Sequence, residues 1–343
     1  MKPIDVTILL LNDFYASTAL APIEVFHSAG RLWNILTGHE SEPRFRVTVA
    51  SLDGLPVVTP YSVGLTPEMS IEQVENMDIV VVPASGLDLD AQIEKHRALF
   101  AWLRHWYERG AYIASICTGA AYLAEAGLLD GHEATTHWST AEDYMERYPG
   151  IKWRPDVFVT EDRRVLCSGG VYAAIDLSLY LVDKFCGHEV AVQTAKALLV
   201  DMPRTHQTGY AVLPISKPHR DGNIQQAESI MKKHFARNLS IESLATTVNM
   251  SPRNFIRRFK QATGQLPGKY LQALRISIAR EMLEDGTVSI QTVSSKVGYE
   301  DVGFFRALFK RLTGMTPAEY RVKFTGVRSH EPGTREFFEI DAE

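Results

Sequence analysis

From residue 5 to about residue 200, short apolar runs alternate with stretches in which apolar residues recur every three or four positions. Val6 to Asn12, Phe45 to Ser51, Asp78 to Pro83, Ala111 to Ser115 and Val165 to Ser168 have the length and continuity of buried strands. Between them Thr18 to Ala29, Leu99 to Arg109, Gly119 to Ala126 and Ala173 to Phe185 carry helical spacing. Strands separated in this way by helices predict a parallel, doubly wound α/β sheet. In such sheets a ligand sits at the carboxyl ends of the strands.

The alternation stops at Met202 to Asp221, where Pro203, Gly209, Pro214 and Pro218 fall with no apolar period across them. The expected layout is therefore an α/β domain at 1–201, a linker at 202–222 and an all-helical domain at 223–325. Residues 326–343 are acidic and interrupted by Gly and Pro, and read as a frayed tail.

Within the helical domain the pattern repeats itself. Ser240 to Val248 leads through Phe259, Thr263-Gly264, Pro267 and Tyr270, and Ser289 to Val297 leads through Phe309, Thr313-Gly314, Pro317 and Tyr320. Each copy is a short helix, a tight turn and a second amphipathic helix, which is the layout of two helix-turn-helix units in tandem. In the first copy Ser251-Pro252 opens the second helix as N-cap and first helical residue, and Phe255, Phe259 and Ala262 supply its core face. Arg253, Asn254, Arg257, Arg258 and Lys260 are left on its other sides.

Charge sharpens the division. The 343-residue chain carries a formal net charge of −5, yet residues 222–325 hold 16 Lys and Arg against 8 Asp and Glu, a net +8, while residues 1–221 hold 18 against 28. A basic region that coincides with the repeat predicts contact with a polyanion there and not elsewhere. The longest apolar runs fall far short of the ~20 residues that span a bilayer. The start, Met-Lys-Pro-Ile-Asp, reads as the approach to a strand and not as a signal peptide. The expectation is a cytoplasmic protein that does not engage a membrane. Three scattered cysteines, Cys117, Cys167 and Cys186, supply neither a disulfide scaffold nor paired zinc ligands, and no metal or cofactor is expected.

The segment Ala111 to Leu123 passes from strand to helix at Cys117, with Gly119 and Ala120 allowing close packing, as at a nucleophile elbow. A cysteine at a helix N-terminus feels the positive end of the dipole, which lowers a thiol pKa. Thr135-Thr136-His137-Trp138 supplies a histidine that the fold can bring near it. Cys117 is read first as a residue lining a ligand pocket, with inert packing, catalysis and redox sensing as the alternatives. Cys167 and Cys186 read as buried small hydrophobes.

Gly298 to Tyr320 resembles the signature of the AraC/XylS family of transcriptional regulators, and 223–323 resembles that family's seven-helix DNA-binding domain. The resemblance implies that Leu271 to Leu283 forms a helix joining the two units. It also implies that Arg253 and Arg257 read bases, with Asn254 beside them. The matching positions in the second copy are Gly303 and Ala307, which leaves Arg306, Lys310 and Arg311 for phosphates. Residues 4–190 resemble the ThiJ/PfpI branch of the class I glutamine amidotransferase-like superfamily, which has a flavodoxin-like fold. The combination is similar to the GlxA subfamily of regulators.

That likeness implies a ligand pocket formed by Thr18, Ser85, Gly86, Cys117, Thr118, His137 and Trp138. Thr18 stands where enzymes of the superfamily often carry Glu, and Pro83-Ala84-Ser85-Gly86 replaces a Gly-Gly turn, so Cys117 and His137 are vestigial catalytic candidates only. The function expected is a homodimeric regulator that binds promoter DNA, senses a small nitrogenous metabolite and engages RNA polymerase. The rival is a cysteine-dependent hydrolase or glyoxal-handling enzyme with an attached DNA-binding module.

Overall fold

The computed structural model describes residues 2–84, 86, 88–211 and 219–325. The expected tail at 326–343, Ser85, and Pro214 and Pro218 of the expected linker lie outside the described residues. The chain divides into two compact units, Met1–Ala211 and Val212–Glu343.

In the first unit the strands are β1 (Ile4–Leu10), β2 (Phe45–Ser51), β3 (Val57–Val58), β4 (Gly64–Leu65), β5 (Met69–Ser70), β6 (Ile79–Val82), β7 (Tyr112–Ile116), β8 (Glu133–Ala134), β9 (Lys152–Trp153), β10 (Val159–Asp162) and β11 (Val165–Ser168). The helices are α1 (Ser17–Ser28), α2 (Leu32–Leu36), α3 (Leu89–Lys95), α4 (Ala98–Glu108), α5 (Ala120–Glu125), α6 (Ala141–Arg147), α7 (Ala173–Cys186) and α8 (His188–Leu198). Seven strands form one sheet in the order β10-β11-β7-β6-β1-β2-β5. Neighbours are parallel except β10 with β11.

Side-chain alternation gives the sheet two buried faces. Val6, Ile8 and Ile79 join Phe26 of α1 and Leu177 of α7 in one core. Leu9, Val80 and Val82 join Leu103 of α4 and Leu123 of α5 in the other. The chain leaves β1 toward β2 and leaves β6 toward β7, on opposite sides of the adjacent pair. Their carboxyl ends, beside that of β7, form the switch point of a doubly wound sheet.

Three expectations are corrected here. The sheet is not wholly parallel, because β10, with the polar pattern Val-Thr-Glu-Asp, returns antiparallel along the edge. The helix expected from Gly119 begins as a 3₁₀ turn at Cys117–Gly119 and becomes α-helical only at Ala120. The linker expected from residue 202 begins later, because residues 204–207 are docked on the first unit. The Arg204 guanidinium meets Asp176 at 2.6 Å and lies 4.2 Å from the Phe158 ring centroid. His206 bridges to Val157, and the buried Gln207 amide donates to the Thr136 carbonyl at 2.9 Å. Proline and glycine in the sequence signal a break in regular structure, which does not exclude a pinned irregular segment.

The second unit is all helical: α9 (Gly222–Lys233), α10 (Ile241–Thr247), α11 (Pro252–Thr263), α12 (Pro267–Asp285), α13 (Ile290–Lys296), α14 (Val302–Thr313) and α15 (Pro317–Phe324). Side-chain oxygens of Asp221, Ser240, Ser251, Ser289, Asp301 and Thr316 cap six of these helices. Gly264, Gly286 and Gly314 end three of them in the left-handed conformation that glycine adopts without strain. Two cores form. Ile224, Leu244, Phe255, Phe259 and Tyr270 fill the first, and Ile276, Val293, Phe305, Phe309 and Tyr320 the second. The long α12 contributes to both. No described helix is long and apolar enough to cross a membrane.

Candidate nucleic-acid interface and ligand cleft

In the second unit, α11 buries Phe255, Phe259 and Thr263 and turns Arg253 and Arg257 outward. Asn254 is half-buried, and its side-chain oxygen accepts from Arg257 at 2.9 Å, which orients that guanidinium. Arg258 has a different role. It forms a two-pronged pair with Asp221, at 2.9 and 2.6 Å, and so ties α11 to the N-cap of α9.

On α14 the buried side is Phe305, Leu308, Phe309 and Thr313. Gly303, Phe304, Arg306, Ala307, Lys310 and Arg311 are exposed. Arg253, Arg257, Arg306, Lys310 and Arg311 form no ion pair among the described residues. The arrangement can present cations to phosphates on both helices and a hydrogen-bonding fork to base edges only on α11.

Sequence reasoning placed Arg275 on the joining helix without seeing its function there. Its guanidinium is buried and donates to the carbonyls of Phe235 (2.7 Å), Arg237 (2.9 Å) and Gly298 (3.1 Å) while lying 4.9 Å from the Tyr299 ring centroid. Phe235 and Arg237 follow α9, and Gly298 and Tyr299 precede α14, so one side chain links the two copies. The close approach explains Gly298, whose φ is +85° and where a Cβ would lie 2.3 Å from the Ala236 carbonyl oxygen. The sequence signal was a lone arginine among apolar neighbours in Leu274-Arg275-Ile276.

In the first unit, β7 delivers Cys117 at the carboxyl end of the sheet with φ +57°. A non-glycine residue held there costs on the order of 1 kcal/mol or more and needs surrounding contacts to persist. Those contacts are present. A Cβ on Gly119 would come within 2.4 Å of the Pro83 carbonyl oxygen, so only glycine fits beneath the elbow. Thr136 donates to the Cys117 carbonyl at 3.0 Å, and Tyr144 donates to that of Thr118 at 2.9 Å.

The elbow is present, but the activated thiol is not. Cys117 is 5% exposed. Burial pushes its thiol up to about 11, against weaker lowering by hydrogen bonds from Thr118. The dipole of a short helix is outweighed by the loss of water. His137 accepts from the Ser139 amide through Nδ1 at 3.1 Å, and burial lowers its pKa, so it is neutral near pH 7. No hydrogen bond joins His137 to Cys117 among the described residues, and the nucleophile–base pair raised as an alternative is not formed.

A cleft of about 500 Å³ opens beside the elbow, with Gly86 and Thr118 in its lining together with Thr140, Asp143 and Tyr144. Glu146 and Arg147 complete its rim, and Arg147 is held by Asp90 at 2.5 Å. Of the expected pocket set, Gly86 and Thr118 line this cleft. Cys117 and Thr18 are buried beside it, and His137 and Trp138, partly exposed, do not line it. Thr18 has a structural role: its hydroxyl donates to the Tyr15 carbonyl at 2.6 Å and accepts from the Ala84 amide at 3.2 Å, which fastens α1 to the turn after β6. Sequence reasoning missed Thr140, Asp143 and Tyr144, since α6 follows the expected motif by only a few residues and carries no chemistry-bearing signature.

Comparison with known proteins agrees with both halves of this geometry. Residues 5–184 match the DJ-1/PfpI family, and residues 244–323 match a helix-turn-helix domain. The chain is 28% identical over 319 residues to the HTH-type transcriptional regulator CdhR of Pseudomonas aeruginosa, covering 92% of this chain and 91% of that one. It is 29% identical to the HTH-type transcriptional regulator GlxA of Rhizobium meliloti, covering 91% and 94%. A third relative is an isonitrile hydratase of Pseudomonas putida, 30% identical over 152 residues, covering 44% of this chain and 64% of the hydratase.

Proposed function

The chain belongs to the DJ-1/PfpI family through residues 5–184 and carries a helix-turn-helix domain, and from that premise we propose how a DNA-binding transcriptional regulator of this build works. The α/β unit binds a small metabolite in the cleft beside Thr118, and the helical unit binds double-stranded promoter DNA. A ligand shifts DNA affinity only by the difference in its own affinity for the two states of the protein. The observation that carries this reading is the pair of outward arginines on the second helix of a repeated unit, in a region of net +8. Arg253 and Arg257 read base edges, with Asn254 orienting Arg257. Arg306, Lys310 and Arg311 hold phosphates.

The cleft favours a cationic, nitrogen-bearing effector, since Asp143 and Glu146 border it and Arg147 is held by Asp90. A thermal-shift screen of metabolites on the full chain tests this, because a ligand that binds only the folded state raises Tm. The expected result is a shift with cationic amines that Asp143→Lys abolishes while DNA binding without ligand is kept. A homodimer that engages RNA polymerase completes the proposal. Support for the dimer comes from Val58, Tyr61 and Val63, which expose an apolar patch on the β3–β4 hairpin. Sedimentation velocity of Val58→Glu checks it, with the monomer as the expected product.

The strained φ of Cys117 and the hydratase relative favour one second reading, catalysis at that thiol. The raised thiol opposes it. The group's folded pKa lies above its unfolded value, so its share of stability is complete below about pH 8.5 and is lost as pH rises toward 11. Alkylation of Cys117 in the folded chain, mapped by mass spectrometry, is expected to stay slower at pH 8 than that of a free thiol. Rapid alkylation removes the objection that the thiol is unreactive, and turnover lost in Cys117→Ala establishes the enzyme instead.

A further inference from the structure

The exposed arc of α14 is unlike that of α11. Its N-terminal half presents Gly303, Phe304 and Ala307, which lie together because residues three and four apart share a helix face. Arg306, Lys310 and Arg311 frame them. An apolar patch framed by cations that form no ion pair among the described residues stands where the residues of a recognition helix meet base edges.

Two details set this patch apart from ordinary surface. Gly303 has no positive φ, and a Cβ there would meet only the Asp301 side chain, at 3.1 Å. Glycine in a helix costs about 1 kcal/mol relative to alanine; here it leaves room for the Asp301 N-cap, and on the exposed side its missing side chain lets another surface approach the helix closely. Phe304 is 48% exposed, yet its ring lies 5.7 Å from that of Tyr299, which the Arg275 guanidinium covers in turn. The phenyl group is thus held on one side and offered on the other.

We propose that α14 reads thymine, through contact of Phe304 and Ala307 with 5-methyl groups in the major groove, while Arg306, Lys310 and Arg311 grip the flanking phosphates. The argument is chemical. Side chains without donors or acceptors leave the polar edges of G·C pairs unsatisfied, and the thymine methyl is the apolar group that a major-groove edge displays. The cations supply the charge complementarity that assigns the face to a polyanion and not to a second protein. The second copy therefore carries sequence information of its own, in addition to the phosphate contacts expected of Arg306, Lys310 and Arg311.

This inference rests on the DNA-binding reading, and its test separates the two. Duplexes are selected from a random library by the full chain, and the element that faces α14 is located as the one whose protection is lost in Arg306→Ala/Arg311→Ala. Thymines in that element are then replaced by deoxyuridine, which removes only the methyl. Wild-type binding is expected to weaken about three- to fivefold per contacted methyl. Phe304→Ala is expected to lose most of this penalty, keeping only the share of the methyl that Ala307 touches, with Phe304→Leu intermediate. Deoxyuridine in the element facing α11 serves as the control and should affect wild type and Phe304→Ala alike. Enrichment of G·C pairs opposite α14, or indifference of the wild type to deoxyuridine, overturns the inference while DNA binding stands. Loss of self-association in Phe304→Ala with no deoxyuridine effect also overturns it, by assigning the patch to a protein contact. Failure to enrich any duplex overturns the DNA-binding reading itself.

Discussion

The two helix-turn-helix copies use one scaffold for opposite surface chemistry. Phe255 and Phe305, Phe259 and Phe309, and Tyr270 and Tyr320 occupy matching places, and the ring contacts between them are nearly the same, at 5.5 and 5.8 Å for the Phe pairs and 5.2 and 5.4 Å for Phe to Tyr. Outward, Arg253, Asn254 and Arg257 face Gly303, Phe304 and Ala307 across the repeat. Positions that fill a core answer to volume and so stay alike, whereas positions that meet a ligand answer to that ligand's chemistry. The turns differ as well. The first copy uses Asn249 at φ +55°, and the second uses Gly298, against whose backbone Ala236 packs. The second copy is thus built to be docked upon, and Arg275 is the group that docks it.

The largest expected effect concerns that junction. Arg275→Ala removes three part-buried hydrogen bonds and the packing on Tyr299, at about 1 kcal/mol for each bond, and a loss of about 3 kcal/mol is expected by urea denaturation. A loss under 1 kcal/mol shows the copies to be energetically independent. Gly298→Ala comes next, at about 2–3 kcal/mol for strain and backbone collision, whereas Asn249→Gly, which meets no such collision, should change stability by a few tenths. Equal effects at the two turns break the contrast.

Arg253→Ala and Arg257→Ala are each expected to cost about 1–3 kcal/mol in discrimination between selected and scrambled duplexes. Arg311→Ala should instead weaken both duplexes and lower the salt-dependence slope by about 1. If the two kinds of variant behave alike, the division between base reading and phosphate holding is wrong. The smallest difference is in the caps. Ser251→Ala and Asp301→Ala should each cost about 1 kcal/mol in thermal unfolding, since both side chains accept from an amide three residues on.

Much of this was legible in the chain. The apolar runs located five strands of the central sheet to within two residues at either end, because strands covered on both faces need continuous apolarity. The caps and Pro-Gly punctuation marked the recognition helices for the same local reason. The edge strand β10 was not legible, since four residues of mixed polarity carry no period. The docking of Arg204 and Gln207 was equally silent, because an ion pair to Asp176 spans 28 residues and leaves no local mark.

The candidate cleft divides in the same way. Gly86 and Thr118 were found from the elbow motif, whereas Thr140, Asp143 and Tyr144 were not, because the packing of α6 beside the elbow is a tertiary fact. Cys117 is the clearest case. By itself the sequence determined that a cysteine would stand at a strand-to-helix turn, since Gly119 and the apolar run before it leave no other local solution. The state of its thiol was decided only when distant residues such as Tyr144 and Thr136 closed over the elbow, because desolvation depends on every neighbour that removes water and not only on the residues adjacent in the chain.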